Sequence, residues 1–392
     1  MTTYDHTDFD SYDQSIEGEE IWKRYADLRQ CPVGHSDKYG GYYLVTGDAE
    51  VKKAATTPEV FSSAEGIIFP PEPHMTFVPI EHDRPEHTWW RTIMSPPVTM
   101  EAAKRLEPSI SDAANARIDT FIGSGRADLV SDFTVHVPQG MIADLFGFEG
   151  PSKTRMIELV HMFFETKGDE RILDWVAQMN AFTLEETAIR RANPRDDYLS
   201  QLVNNSYEGR SLTHEELLSL ITSFTVAGFH STIAGMGTLL YYIGKDPALR
   251  DRLIADPALI NGAVEEAIRI VPPLQLFRRV TTQDTTLGGV DIPAKSSVVL
   301  CYGAAARDGN SVENPDQFDP TRKLNRHVGY GWGIHRCLGV ALARTEMRVA
   351  AQTLLNRIPD FEVEDGVGYG PLEGGMVMAL TSLPVRFTPQ PN

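Results

Sequence analysis

Ten residues, Tyr330-Gly331-Trp332-Gly333-Ile334-His335-Arg336-Cys337-Leu338-Gly339, constrain this chain more than any other stretch. Three glycines, a histidine, an arginine and a cysteine fall within them, and a helical pattern follows through Leu338, Ala341, Leu342, Thr345, Val349 and Leu354. Glycine permits a tight loop whose backbone can lie against a flat, bulky ligand. Cys337 stands where that loop turns into the helix, so the positive helix end and its converging N–H groups favour the thiolate. A thiolate held in this way suits a soft metal. Only one sulfur is offered, and a closed tetrahedral zinc site would need three further ligands from elsewhere. A glycine-rich loop around a plain buried cysteine is the alternative that the ten residues leave open.

Composition narrows the class. With 42% hydrophobic and 23% charged residues the chain is an ordinary globular one, and 392 residues suffice for a large core. Cys31, Cys301 and Cys337 are too far apart in sequence to make a disulfide framework, which points to a reducing, cytoplasmic setting. No basic start is followed by an apolar run, and no apolar stretch reads as a membrane span. A net charge of −18 argues against a phosphate backbone, and so against nucleic acid, as partner. Part of that charge is local: residues 1–20 hold seven acids and no Lys or Arg, and read as a loosely ordered acidic tail. No linker divides residues 21–392, which read as a single domain.

Taken in order, residues 18–30 read as a helix, Gly40–Thr46 as a strand, and Asp48 as the cap of a short helix. Residues 62–79 form an apolar, Pro-rich loop, with Phe69 and Phe77 as candidates for either a ligand-facing wall or a self-packed loop. His87 and Arg91, four apart after Pro85, share a helix face and suit an anionic carboxylate. Residues 100–210 are mostly helical. Thr213-His214-Glu215-Glu216 is a capping box that opens about thirty residues of helix, roughly 45 Å. Midway lies Ala227-Gly228-Phe229-His230-Ser231-Thr232, where a glycine costs about 1 kcal/mol and two hydroxyls can bond back to carbonyls. That placement suggests a helix locally opened beside a ligand. Glu266 and Arg269 pair at i,i+3 before Pro272, strands fill Phe277–Leu300, and Gly375–Leu380 with Pro384–Phe387 reads as a terminal hairpin.

The decapeptide resembles the heme-binding loop of the cytochrome P450 superfamily, aromatic-Gly-x-Gly-x-His-x-Cys-x-Gly, with Tyr330 where phenylalanine is usual. Further motifs in the same order resemble that family's other signatures between about Tyr42 and Phe387. The resemblance implies a mainly α fold with a minor β region, and heme b between the long central helix and the Cys337 loop. It implies Cys337 as the iron ligand, and His87, Arg91, Arg279 and His335 as anchors of the heme propionates, with Arg278 as the alternative to Arg279. Glu266, Arg269 and Arg322 then take a structural role. The mid-helix segment resembles the family's oxygen-activating groove, with His230 in place of an acid and Ser231 in place of threonine. Ser231, His230 and Thr232 are the candidate catalytic residues, although Thr232 diverges from Ser231 by about 100°. The region of His161, Phe163 and Phe164 forms the substrate lid in relatives.

The activity implied is a monooxygenase that inserts one atom of O2 into a C–H bond, drawing electrons from NAD(P)H through an external ferredoxin or flavodoxin and its reductase. Arg336, Arg344 and Arg348 form a candidate basic docking patch for that partner. Phe69, Phe77, Ala227, Leu274 and Met376 are candidate apolar walls for a small or medium hydrophobic substrate. The competing class is a peroxide-driven heme-thiolate protein or a ligand sensor that does not hydroxylate.

Overall fold

The capping box at Thr213 forms as its residues require. The Thr213 N–H donates to Glu216 Oε2 at 2.8 Å, and the Glu216 N–H donates to Thr213 Oγ1 at 3.2 Å. From it runs one helix, His214–Lys245, of 32 residues and about 48 Å. The computed structural model describes residues 9–71, 76–166, 170–323 and 326–390, with 164–166 described in backbone only. By length and composition this central helix is apolar enough to cross a membrane, with a mean hydropathy of 1.4, contrary to the expectation that no stretch is. The protein itself surrounds it, and 61% of that apolar window is buried. A helix apolar on all sides belongs in the middle of a large core.

The helices Ile172–Ala192, Ile260–Ile270 and Val340–Arg357 pack on it. Gly235 allows the last two to come close, since a Cβ there would lie 2.8 Å from Ile268 Cδ1 and 3.2 Å from Met347 Sδ. The C-terminal half buries Leu239, Leu240 and Ile243 among Val264, Ile268 and Leu354, and the N-terminal half buries Leu217 and Ile221 among Phe146, Phe182 and Leu199. Each such side chain contributes roughly 1.5–3 kcal/mol.

A five-stranded sheet flanks the helices in the order Val33–Ser36, Tyr42–Val45, Ser297–Cys301, Leu276–Thr281, Phe61–Ser62. Its register sets Arg278 opposite Val299 and Arg279 opposite Val298, so the two arginines face opposite sides. The mainly helical fold with a minor β region is therefore observed. The expected terminal hairpin is not. Pro384–Arg386 lies between Arg126–Asp128 and Glu362–Val363, whereas residues 373–377 form a turn bridged to Leu274 through Val377.

Two local expectations also change. Asp48 is the first residue of its helix, not its cap; the Asp48 N–H donates to Asp308 Oδ2 at 3.0 Å, and the Asp48 carboxylate accepts from Ser311 and Lys52. Of the acidic tail, residues 1–8 lie outside the described residues; beyond them Phe9 and Ser11 are buried and Gly18 is anchored, while Tyr12, Asp13, Gln14, Ser15, Glu17, Glu19 and Glu20 are exposed. Phe9 is 2% exposed, its carbonyl accepts from Tyr42 Oη at 3.0 Å, and the Gly18 N–H donates to the Tyr369 carbonyl at 2.7 Å. The aromatic residues interleaved with the acids provide the apolar area that a purely acidic tail would lack.

Glu266 and Arg269, both fully buried, meet in a bidentate pair at 2.7 and 3.0 Å. Arg322 donates to Glu266 at 3.0 Å and also to the carbonyls of Glu313, Asn314 and Gln317. Burial opposes the Glu266 charge, but the two arginines and the Asp319 N–H outweigh it and hold the carboxyl below its usual 4.5. Removing one partner strands a buried charge. Arg269→Ala should cost about 3–5 kcal/mol in urea unfolding. The stabilisation from Glu266 is present in full above pH 4.5 and is lost as pH falls through the depressed folded value.

Candidate active site

The Cys337 loop is shaped by two left-handed glycines, Gly331 at φ +72° and Gly333 at φ +69°. A Cβ on Gly333 would overlap the Ala55 carbonyl, so the loop presses directly onto the helix Asp48–Thr56. The Cys337 N–H donates to the Tyr330 carbonyl at 2.8 Å and closes the loop. Val340–Arg357 begins three residues later, and the Gly339 N–H is directed at the sulfur. The sulfur keeps exposed surface, yet the protein around it pushes the thiol above its usual 9.0. Gly339 and the charges of Arg91, Arg336 and Arg344 pull the other way but do not prevail. The Gly339 N–H and the arginines favour the thiolate, while burial opposes it; a bound metal cation would deprotonate such a sulfur outright. Among the described residues no three His, Cys, Asp or Glu side chains gather as a metal set, so Cys337 has no partners for a closed zinc site.

Beside the sulfur, four side chains from three elements converge. His87 and Arg91 come from the helix Glu86–Met94, Arg279 from Leu276–Thr281, and His335 from the loop. The His87 and His335 rings lie 4.6 Å apart, and His335 Nε2 is 3.1 Å from Ser63 Oγ. Burial, then Arg91 and Arg84, bring His87 down to about 4; burial, then Arg279, His87 and Arg91, bring His335 down to about 2. At neutral pH both imidazoles are therefore uncharged, and the positive charge expected of the His87–Arg91 pair rests on Arg91 alone. Arg91 Nη1 donates to the Arg336 carbonyl at 2.9 Å, and Arg279 Nη1 to the Arg278 carbonyl at 2.7 Å. Neither has a carboxylate partner among the described residues. His87 Nε2 and His335 Nδ1 are buried without any hydrogen-bond partner. Arg278 points elsewhere, to Ser297 Oγ and the Glu65 carbonyl. Two unpaired guanidiniums and two orphaned ring nitrogens are a donor set for carboxylates, and they fit the propionates of a heme whose iron takes the single sulfur.

On the central helix Ser231 Oγ donates to the Ala227 carbonyl at 2.6 Å and Thr232 Oγ1 to the Gly228 carbonyl at 2.8 Å. The helix nevertheless runs unbroken, so the expected local opening is absent; a Cβ on Gly228 would sit 2.8 Å from Ile142 Cδ1, and close packing accounts for that glycine. Ala227 is exposed although Phe224 and Phe229 beside it are buried, which leaves the helix face of Ala227, His230 and Ser231 turned to an open side. Thr232 is 4% exposed and turns instead toward the buried Glu346, so it stands apart from that face. Burial holds the Glu346 carboxyl well above the usual range. His230 Nε2 lies 3.4 Å from Glu373 Oε2 in the turn 373–377.

The candidate walls divide. Leu274 and Met376 are brought together by the Val377 bridge and by the Gln275 N–H donating to the Met376 carbonyl at 2.8 Å. Phe69 belongs to the core: it is 6% exposed, with its ring 4.5 Å from Tyr42 and 5.6 Å from Tyr39. Phe77 is half-buried in a loop pinned to the central helix, where Val78 N–H donates to Ser223 Oγ at 3.0 Å and Ser219 Oγ to the Thr76 carbonyl at 2.7 Å. Met75 lies outside the described residues. His161 is tied to Gln139 at 2.7 Å and packs against Phe229, Phe163 packs on Trp175, and the Phe164 side chain lies outside the described set. Glu373 and Glu346 sit in no motif, so residue type and spacing give no signal for either.

The basic patch is mostly neutralised. Arg344 binds Glu265 through two 2.6 Å bonds, and Arg348 reaches Glu107 at 2.5 Å. Only Arg336 of the three has no carboxylate partner among the described residues.

The family described as Cytochrome P450 matches residues 142–387. The chain is 30% identical over 384 residues to cytochrome P450 107B1 of Saccharopolyspora erythraea, covering 93% of each. It is 35% identical over 350 residues to the mycinamicin IV hydroxylase/epoxidase of Micromonospora griseorubida, covering 87% of this chain and 83% of that one. Among solved structures, a Mycobacterium marinum cytochrome P450 in complex with pseudoionone superposes with a TM-score of 0.88 at 27% identity, covering 99% of this chain and 100% of that one. The chain belongs to the cytochrome P450 family. Within that family it is a monooxygenase, an oxidoreductase.

The loop geometry orders two substitutions. Gly331→Ala meets only the left-handed backbone cost, about 1–2 kcal/mol. Gly333→Ala adds the collision with Ala55 and should lower the urea midpoint clearly further. Equal midpoints for the two variants would contradict the close approach.

Proposed function

We propose that this monooxygenase holds heme b with Cys337 as the axial ligand and inserts one oxygen atom from O2 into a C–H bond of a small or medium hydrophobic substrate, by hydroxylation or oxidative dealkylation. The reading rests on one observation: a single sulfur at a helix start, with Arg91, Arg279, His87 and His335 converging beside it and none of them ion-paired to a carboxylate among the described residues. Residues 21–392 act as one catalytic domain, and the three free cysteines suit a cytoplasmic setting. A thiolate-bound heme supplies the oxygen activation.

The chain's residues do the rest. Arg91 and Arg279 would bind the two propionates as charges, and that dianion would draw protons onto His87 and His335 so that each donates a ring N–H to it. The Ser231 hydroxyl, released from the Ala227 carbonyl, orders water and passes a proton into the groove, and His230 resupplies it. Ala227, Leu274 and Met376 give the substrate an apolar wall; Phe77 borders it, and Phe69 supports the loop from the core. Electrons arrive from NAD(P)H through a ferredoxin or flavodoxin and its reductase, with Arg336 as the cation at the docking face. The altered groove, His230-Ser231, also fits a peroxide-driven enzyme or ligand sensor, which would form product with peroxide alone or not at all.

In Ser231→Ala, oxygen consumption should continue while product falls severalfold and peroxide rises; unchanged coupling would remove Ser231 from proton delivery. Arg336→Glu should slow partner-driven turnover severalfold and leave substrate binding as it was. Equal loss in both measurements would place Arg336 in the fold of the loop instead of at a docking surface.

A further inference from the structure

The central helix carries a histidine where the family pattern places an acid, but a carboxylate reaches the same spot from another part of the chain. Glu373 Oε2 lies 3.4 Å from His230 Nε2, with side-chain exposures of 35% and 20%. The carboxylate is not on a free loop. The Glu373 N–H donates to the Val377 carbonyl at 2.9 Å and the Val377 N–H returns to the Glu373 carbonyl at 3.0 Å. The turn is anchored at Leu274 by the Val377 bridge, and the Met378 N–H donates to the Pro273 carbonyl at 2.9 Å. The Tyr12 ring lies against Gly375 on its outer side. Glu373 is thus set by backbone bonds in the turn that carries Met376 and bridges to Leu274, facing a helix position next to Ser231.

We propose that Glu373 is a positioning and relay residue, the acid of the oxygen-activating groove supplied from the C-terminal turn, acting through His230. The proposal deepens the heme-thiolate reading and rests on it. Glu373, carrying a proton taken from solvent, gives it to His230 Nε2 as His230 Nδ1 gives its own to groove water, and the carboxylate then takes another proton from solvent. One proton enters and one leaves per cycle; between cycles, with the groove open to bulk water, the ring gives up its Nε2 proton and takes one on Nδ1, which restores the starting tautomer. The carboxylate also fixes the ring orientation, as a carboxylate does for a catalytic imidazole. A lone histidine at this position would have no such partner. The same contact ties the turn that carries Met376 to the central helix.

The experiment separates relay from tether. Glu373→Gln keeps a hydrogen-bond acceptor for the ring but cannot carry the proton; Glu373→Ala removes both functions. Each variant is purified with heme, and its reduced carbon monoxide spectrum is recorded first. Absence of a thiolate-type band in the wild-type protein would overturn the heme-thiolate reading itself, a result distinct from those below. With the band present, Glu373→Gln, Glu373→Ala and His230→Ala should all lose product per oxygen consumed severalfold, and the double variant should be no worse than the singles. Hydrogen–deuterium exchange across residues 372–378 should rise in Glu373→Ala and His230→Ala and stay at the wild-type level in Glu373→Gln. Wild-type coupling in Glu373→Gln would overturn the relay. Unchanged exchange in Glu373→Ala would overturn the pairing on which the relay depends.

Discussion

The close seating of the loop that carries one sulfur is the constraint on which the rest depends. Protein packed around Cys337 pushes its thiol above 9.0 even though a helix begins three residues on and three arginines pull the other way. A soft sulfur left accessible under those conditions gains most from a metal cation. The chain commits considerable structure to that sulfur: two left-handed glycines, a backbone laid on Ala55, and a loop closed from Cys337 N–H to the Tyr330 carbonyl. Glu266, Arg269 and Arg322 brace the segments behind it through buried ion pairs and carbonyls of residues 313–317. Such pairs contribute little net stability against an apolar equivalent, but breaking one is costly, which suits a role in fixing geometry.

The same electrostatic logic governs the ring of donors. Four basic groups crowd together, and the structure avoids their repulsion by leaving His87 and His335 neutral and keeping charge on Arg91 and Arg279. A dianionic ligand resolves the remaining imbalance, because it satisfies both guanidiniums and both orphaned nitrogens. The central helix offers a face of Ala227, His230 and Ser231, and the C-terminal turn brings Glu373 to it. The candidate site therefore draws on five separated parts of the chain, each held by its own local bonds.

Much of this was legible in the sequence because the signals are local. Cys337 with its glycines, the His87–Arg91 spacing, the Thr213 capping box and the Glu266–Arg269 pair each lie within a few residues, where backbone geometry follows directly from residue type. What was not legible depends on partners far away in sequence. Arg344 and Arg348 look like a basic patch until Glu265 and Glu107 arrive from other helices. Phe69 reads as a pocket wall until Tyr42 covers it, and Gly228 reads as a helix opening until Ile142 is found packed against it. Glu373 gives no sequence signal, since only the turn 373–377 and its bridge to Leu274 bring it to His230.

The account stands or falls on the bond between Cys337 and a heme iron. The most direct measurement is the carbon monoxide difference spectrum of the reduced protein, wild type beside Cys337→Ser. A thiolate-type band in the wild-type protein that disappears in the variant is the predicted result. Its absence from the wild-type protein, or a spectrum that the serine substitution leaves unaltered, would contradict the assignment of Cys337 as the iron ligand.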